Sequence, residues 1–503
     1  MFKKCLIALL LVAAVRATTV AQDAKSVVAN VSKAMGYDQL KSIEYSGSGS
    51  EGTALGQAQS AAGGWPKFTL KRFSRYIDLN AGTSQQTALR SRPVDATGQL
   101  AGGGGLAAVP ESEQTTVINA NASWAQKLDV SLSPPAFLKL ASAASNTTAK
   151  SQSMNGKKYT VISFPVDAKA PSGIPYTISG YIDDHNMVDK IETAVEEPNL
   201  IGDMVVEQSF SGYKDFGGVK FPTKIVQKRA GLSWTDLTIT DVKANAAAPT
   251  PPAPAGGRGR GGEGAGARGA APAPPPMTTK KLGDGIFMTT GGYRSVAVEF
   301  KDHIVLIEGP NNEMTTTNII AEVKKAIPNK PIKYVVNTHT HFDHSGGLRA
   351  AVAEGATIIT HESNKPLYEK WFSNHRTLVM PDKLSQSEKK AKFEYIGEKK
   401  ILKDELNTVE LYHLKGAHHA EDIIIAYLPK IKTVVEADAF NAPAPNAPAP
   451  QTINGFEKVF ASELERLKID YTTIIPIHQP AGGDREIKKA DLLKNIGQGN
   501  GGN

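Results

Sequence analysis

The chain has 503 residues, too many for one compact domain and suited to two with connecting material. Its formal net charge of +7 comes without a dense basic stripe or interleaved aromatic and basic residues, which argues against nucleic acid as a partner. The one cysteine, Cys5, precedes an apolar run near the start, so the rest of the chain has neither disulfides nor a thiol nucleophile.

Residues 1–21 read as a signal peptide. Lys3 and Lys4 precede the apolar stretch 6–15, which is too short to persist as a membrane span, and Thr19 and Ala21 suit a cleavage point. Lys3, Lys4 and Arg16 leave with it, so the mature charge is closer to balance. The expectation is a periplasmic or secreted protein with no integral membrane segment after signal cleavage.

Residues 22–245 are expected to form a mainly antiparallel β N-terminal domain. Val27, Val28, Val31, Ala34 and Met35 share one helical face, which Gly36 ends. After a Gly-rich stretch at 101–105, read as a mobile loop, runs at 176–183, 188–195, 204–213, 219–228 and 232–242 alternate with turn signals and predict a meander. With the hairpin sequence from Gly212 to Pro222, this helix-then-meander order resembles the half-barrels of periplasmic lipoprotein carriers. That resemblance implies an apolar ligand site, a tether or a scaffold. Residues 246–277, rich in Pro, Gly and Ala, cannot bury a core and read as a disordered linker, and 496–503 as a flexible tail.

The second domain, 278–495, alternates strands with helices at 314–326, 347–353 and 455–467, after a hairpin made by 295–300 and 303–308. A β-branched run at 332–337 leads into Thr338-His339-Thr340-His341-Phe342-Asp343-His344, and Ser345-Gly346-Gly347 then suits a turn into a helix. In extended backbone, positions 339 and 341 point the same way and suit one ion, while Asp343 and His344 lie around the bend for a second. Such nitrogen and carboxylate donors suit Zn²⁺.

Further donors follow the apolar runs downstream: His418-His419, Asp438 and His478. Adjacent histidines on an extended segment point in opposite directions, so one of His418 and His419 faces the metals, and Asp422 is read as orienting it. His361 ends another strand and is read either as lining the pocket or as an ordinary polar residue. Tyr368 and Trp371 are read as a cleft wall or as packing, and the Pro/Ala insert at 443–450 as a lid or a plain loop.

The order HxHxDH, then His, Asp and His, resembles the metallo-β-lactamase-fold hydrolases over 278–495. The resemblance implies an αββα four-layer sandwich and so an α+β chain. It implies that His339, His341 and His419 hold one zinc, that Asp343, His344 and His478 hold another, and that Asp438 bridges them. A G-x-x-H…AYLP pattern favours His419 over His418. Glu308 stands where many members carry Asp, which is expected to change hydrogen bonding around the site more than the metals. The implied activity is cleavage of a small ester, lactone, amide or β-lactam by a metal-bound hydroxide, with Asp343 as the catalytic carboxylate and a small molecule as the partner. Oligomeric state is not indicated. Two other readings stand: an iron oxidoreductase resembling sulfur dioxygenases, though one redox branch has Glu where this chain has His341, and a ligand- or partner-binding module with a vestigial metal domain.

Overall fold

The computed structural model describes residues 23–58, 60, 63–92, 109–250, 277–448, 450 and 453–498. The expected signal peptide, the 101–105 loop, most of the expected linker and the last five residues lie outside them.

The first half carries one eleven-stranded antiparallel sheet, in which sequence neighbours pair except that Ser42–Gly52 joins the last strand, Leu232–Ala244. The expected meander is present as Pro175–Ile182, Val188–Glu197, Gly202–Asp215, Lys220–Arg229 and Leu232–Ala244. Residues alternate between more and less buried along Val188–Glu197, the period-2 pattern of a sheet with one face on a core. Helix Trp124–Ser131 contacts strand Thr83–Arg92 near one edge, and the next helix, Pro134–Ala143, contacts Lys157–Lys169 near the other. Two successive helices that touch each other reach both edges only if the sheet curls around them, which buries Phe137, Leu138 and Ala141 in its hollow. Helix Ala24–Met35, capped by Asp23, buries Val28, Val31 and Met35.

The second half is the four-layer αββα arrangement. A seven-stranded sheet runs from Thr278–Gly283 to Phe393–Ile396 and a six-stranded sheet from Lys399–Lys403 to Ile487–Lys488. Period-2 alternation divides the faces. Ile307, Val336 and Ile359 are in register and pack into the core between the sheets with Leu411, Ala426 and Val435. Their neighbours Leu306, Val335 and Ile358 face outward against helices Glu313–Ala326 and Leu348–Glu354, which bury Ile319, Val323, Leu348 and Val352. On the far side, Phe456, Phe460 and Leu464 of helix Gly455–Arg466 cover the six-stranded sheet. Among the described residues no helix is long and apolar enough to cross a membrane.

The halves share a core. One continuous cluster of buried apolar residues runs from Val31 and Phe210 in the first half to Trp371 and Leu348 in the second. Trp65 stacks on Trp371, ring centroids 6.1 Å apart and planes 8° off parallel, and meets the Phe342 edge. Asp203 receives hydrogen bonds from the backbone of Thr377 and Leu378, and the Asn374 amide donates to the Ile201 carbonyl.

Candidate metal centre

Strand Ile332–Val336 lies between two parallel neighbours, so its end points the following residues out of the sheet at one edge of the sandwich. Asn337 fixes that exit. Its Nδ2 donates to the carbonyls of His339 (2.7 Å) and His344 (3.3 Å), and its Oδ1 accepts from Thr360 and from the Tyr368 hydroxyl. Asp422 Oδ2 accepts the Thr340 backbone N–H and the Asn364 amide, each at 2.7 Å. A one-turn helix, Phe342–Ser345, then carries Asp343 and His344. The chain leaves through Gly346, where a Cβ would sit 2.0 Å from the Asn311 carbonyl oxygen, so no other residue fits without moving backbone.

Two groups of side chains converge here: His339, His341, His419 and Asp438, and Asp343, His344, Asp438 and His478, the ligand atoms within each lying inside 4.8 Å of one another. Asp438 belongs to both. Its Oδ2 is 3.3 Å from His339 Nε2 and 3.0 Å from the Nε2 of His344 and of His419, while its Oδ1 is 2.9 Å from His478 Nε2. It reaches this position from a left-handed backbone, φ 62°. Asp343 Oδ2 lies 3.3 Å and 3.4 Å from the Nε2 atoms of His344 and His478.

The nitrogens bear on whether this set fits a cation. His341 Nδ1 is buried with no hydrogen-bond partner among the described residues, and His339 Nε2 and His419 Nε2, also buried, have only Asp438 Oδ2 within reach. Three buried imidazole nitrogens gathered around a single carboxylate are under-satisfied unless something electrophilic joins them, and three imidazoles with a carboxylate form a zinc-type donor set. Burial above all, then the nearby His344, holds His339 down to about 3, and burial with the neighbouring His339 and His419 holds His341 well below the usual histidine range. Both therefore present neutral imidazoles. In the second group burial opposes charge, yet His344 is held well above its usual range by Asp438 and Asp343, and His478 is pushed up to about 9 by hydrogen bonds to those carboxylates. Asp343 and Asp438 are held low in turn, the His344 charge being the largest influence against burial.

Several other side chains support the donors, and of these only Glu308 was read from the sequence, as a change in hydrogen bonding around the site. Glu308, fully buried at φ 77°, accepts the Thr338 hydroxyl at 2.5 Å and lies 3.3 Å from His344 Nδ1. Glu436 Oε2 accepts the backbone N–H groups of Ala439 and Phe440 and so shapes the turn that presents Asp438. Burial, with Asp438 adding, pushes its carboxyl up to about 8. From the first half, Gln57 Nε2 donates to Asp343 Oδ1 at 3.3 Å, and His341 Nε2 lies 3.2 Å from the Ala58 carbonyl oxygen. The only signal for Gln57 and Ala58 is three-dimensional, since nothing local in the sequence marks them.

Other residues go elsewhere. It is His419, not His418, that enters the cluster. Asp422 orients neither of them, because both its bonds go to the His339–His341 segment and Asn364. His361 stacks on His413, ring centroids 4.0 Å apart, and its Nδ1 pairs with Ser363 away from the cluster. Tyr368 and Trp371 are fully buried packing residues rather than a cleft wall. The insert after Asn441 folds toward Arg485, which donates to the Pro443 carbonyl.

Residues 290–421 match the family model described as the metallo-beta-lactamase superfamily. No curated protein matches the chain. Similar solved structures include a metallo-beta-lactamase from Pontibacter korlensis, 17% identical over 44% of this chain and 98% of that one, TM-score 0.33. A metallo-beta-lactamase from Hirschia baltica is 18% identical over 44% and 98%, TM-score 0.32. A flavo di-iron protein from Thermotoga maritima is 15% identical over 44% and 62%, TM-score 0.33. The second half of the chain is thus a metallo-β-lactamase-fold domain, preceded by a large antiparallel β domain.

Proposed function

We propose that this metallo-β-lactamase-fold domain is an exported, zinc-dependent hydrolase that acts on a small ester, lactone, amide or β-lactam. One observation carries the reading: three buried imidazole nitrogens, His341 Nδ1 with no partner among the described residues and His339 Nε2 and His419 Nε2 with only Asp438 Oδ2, converge beside Asp438, which also faces the second group. His339, His341 and His419 would hold one ion, Asp343, His344 and His478 the other, with Asp438 between them. Bound zinc would supply a Lewis acid and a water with pKa near 7, as zinc does in hydrolytic sites generally.

The chain's own residues do the rest. The side chains of His478 and Asp343 are 33% and 27% exposed, against 12% for Asp438 and none for His339, so a substrate approaches over His478 and Asp343. Asp343, held as a carboxylate, orients the attacking water and takes its proton for delivery to the leaving group. The Tyr293 ring, 5.1 Å from that of His478, walls this side. The signal-like first 21 residues favour a periplasmic or secreted location.

The test is turnover of purified protein on a panel of β-lactam, lactone, thioester and phosphodiester substrates, with and without a chelator, beside His339→Ala and Asp343→Ala. Chelator-sensitive hydrolysis lost in both variants is expected. Full activity in either variant sinks the assignment, and stoichiometric iron in the purified protein points to redox chemistry instead.

A further inference from the structure

The N-terminal domain reaches the HxHxDH segment of the second half through residues that follow strand Ser42–Gly52. The Gly56 carbonyl accepts the Phe342 backbone N–H at 3.0 Å. Gly56 sits at φ 84°, and a Cβ there would lie 2.4 Å from the Phe342 ring, so the approach depends on glycine. Trp65, 2% exposed, anchors the far end of the segment between Trp371 and Phe342. Between these anchors stand Gln57 and Ala58, each bonded to a residue of the HxHxDH segment.

Those two bonds have definite chemical consequences. A carbonyl oxygen only accepts, so the contact with Ala58 puts the His341 proton on Nε2 and leaves the lone pair on Nδ1. Nδ1 is the buried nitrogen without a partner among the described residues, on a ring whose centroid lies 4.5 Å from that of His339 and 4.6 Å from that of His419. A carboxylate likewise only accepts, so Gln57 donates to Asp343 Oδ1, which turns Oδ2 toward His344 and His478. Metal-binding histidines commonly give their other N–H to a carbonyl or carboxylate, and losing such a partner typically costs 10–100-fold in metal affinity. In this chain that partner comes from a different domain, some 280 residues earlier in sequence.

We propose that residues 56–58 of the N-terminal domain are a working part of the metal centre: Ala58 sets the tautomer by which His341 faces the first site, and Gln57 aims the Asp343 carboxylate into the second. Both are positioning residues. The inference rests on the two-metal reading above, and it gives the N-terminal domain a role that neither a tether nor a separate ligand carrier would need.

The experiment is stepwise Zn²⁺ titration of the full-length protein, with wild type, Gln57→Ala and Gln57→Glu compared and apo-protein Tm measured alongside. Gln57→Glu keeps the length of the side chain and removes its donor. The expected result is two equivalents for wild type and, in both variants, a second equivalent weakened about 10–100-fold with the first equivalent and the apo Tm unchanged. Imidazole ¹⁵N shifts of the metal-free protein should show His341 protonated at Nε2. Variants that match wild type at both equivalents overturn the inference alone, as does equal weakening of both equivalents with a fallen apo Tm, which marks a purely structural segment. An Nδ1-protonated His341 overturns the Ala58 part. A wild type that takes up no zinc overturns the functional reading and this inference with it.

Discussion

Glu308 and His344 meet 3.3 Å apart with no exposed side-chain surface on either. The carboxylate comes from the end of strand Ile304–Ile307 and the imidazole from the one-turn helix Phe342–Ser345, so the pair ties the seven-stranded sheet to a donor of the second group. Glu308 Oε2 also accepts the hydroxyl of Thr338, whose oxygen lies 3.2 Å from His339 Nδ1, so one carboxylate steadies a donor of each group. Its left-handed backbone is what brings the longer Glu side chain onto the pair.

Glu308→Gln should therefore keep the fold and weaken metal uptake about 10–100-fold, because the His344 ring loses its charged partner while the volume is retained. Competition with a chromophoric zinc chelator reads this directly. Unchanged affinity would show that Glu308 is only a core residue.

The seam between the domains makes a second prediction. Trp65 is stacked between aromatic rings of the other half and donates its indole N–H to the Arg229 carbonyl at 2.9 Å. Trp65→Ala should cost about 3–5 kcal/mol, the usual range for a large buried aromatic. Since the core runs through both halves, urea unfolding should follow one transition by tryptophan fluorescence and by circular dichroism. Two well-separated transitions would contradict a shared core.

A third concerns pH. Burial, the largest influence, pushes Asp422 up to about 6 from an ordinary 3.8 despite its hydrogen bonds from Asn364 and Thr340. A carboxyl with a raised folded pKa favours the fold while protonated, so its contribution is fully present below about pH 4 and is lost as pH rises through 6. The difference corresponds to about 3 kcal/mol at most. Asp422→Asn should remove this term, so urea denaturation of metal-stripped protein at pH 4 and pH 8 should show wild type losing stability relative to the variant. Parallel behaviour at the two pH values would refute it.

The HxHxDH segment was legible because its donors are adjacent in sequence and follow a strand whose β-branched residues signal burial on both faces. The meander from 175 to 244 was legible for the same local reason, alternation broken by turn residues. Gln57 and Ala58 were not, since Gly-Gln-Ala has no pattern of its own and its meaning comes from Phe342 and His341 lying against it. Asp422 was misread because proximity in sequence to His419 suggested a partner, whereas the strand that follows turns its carboxylate toward Thr340. The choice of His419 over His418 rested on resemblance. In the structure the His419 ring stacks on Phe456, planes 3° apart, with its Nε2 edge 3.0 Å from Asp438 Oδ2.

Metal should also act as a folding ligand. A cation bound only by the native state stabilises it by about 4 kcal/mol at a thousandfold excess over Kd, so Tm should rise with added Zn²⁺ and fall on chelation. The same titration on His419→Ala should show a smaller rise, and on His418→Ala the wild-type rise. The reverse order would reassign the ligand.

Elemental analysis of the purified full-length chain tests the two-metal centre most directly, with wild type and Asp438→Ala measured side by side. The expected result is two equivalents of zinc per wild-type chain and at most one in the variant, since Asp438 faces both donor groups. A wild type with no bound metal, or an Asp438→Ala chain that keeps two equivalents, would contradict it.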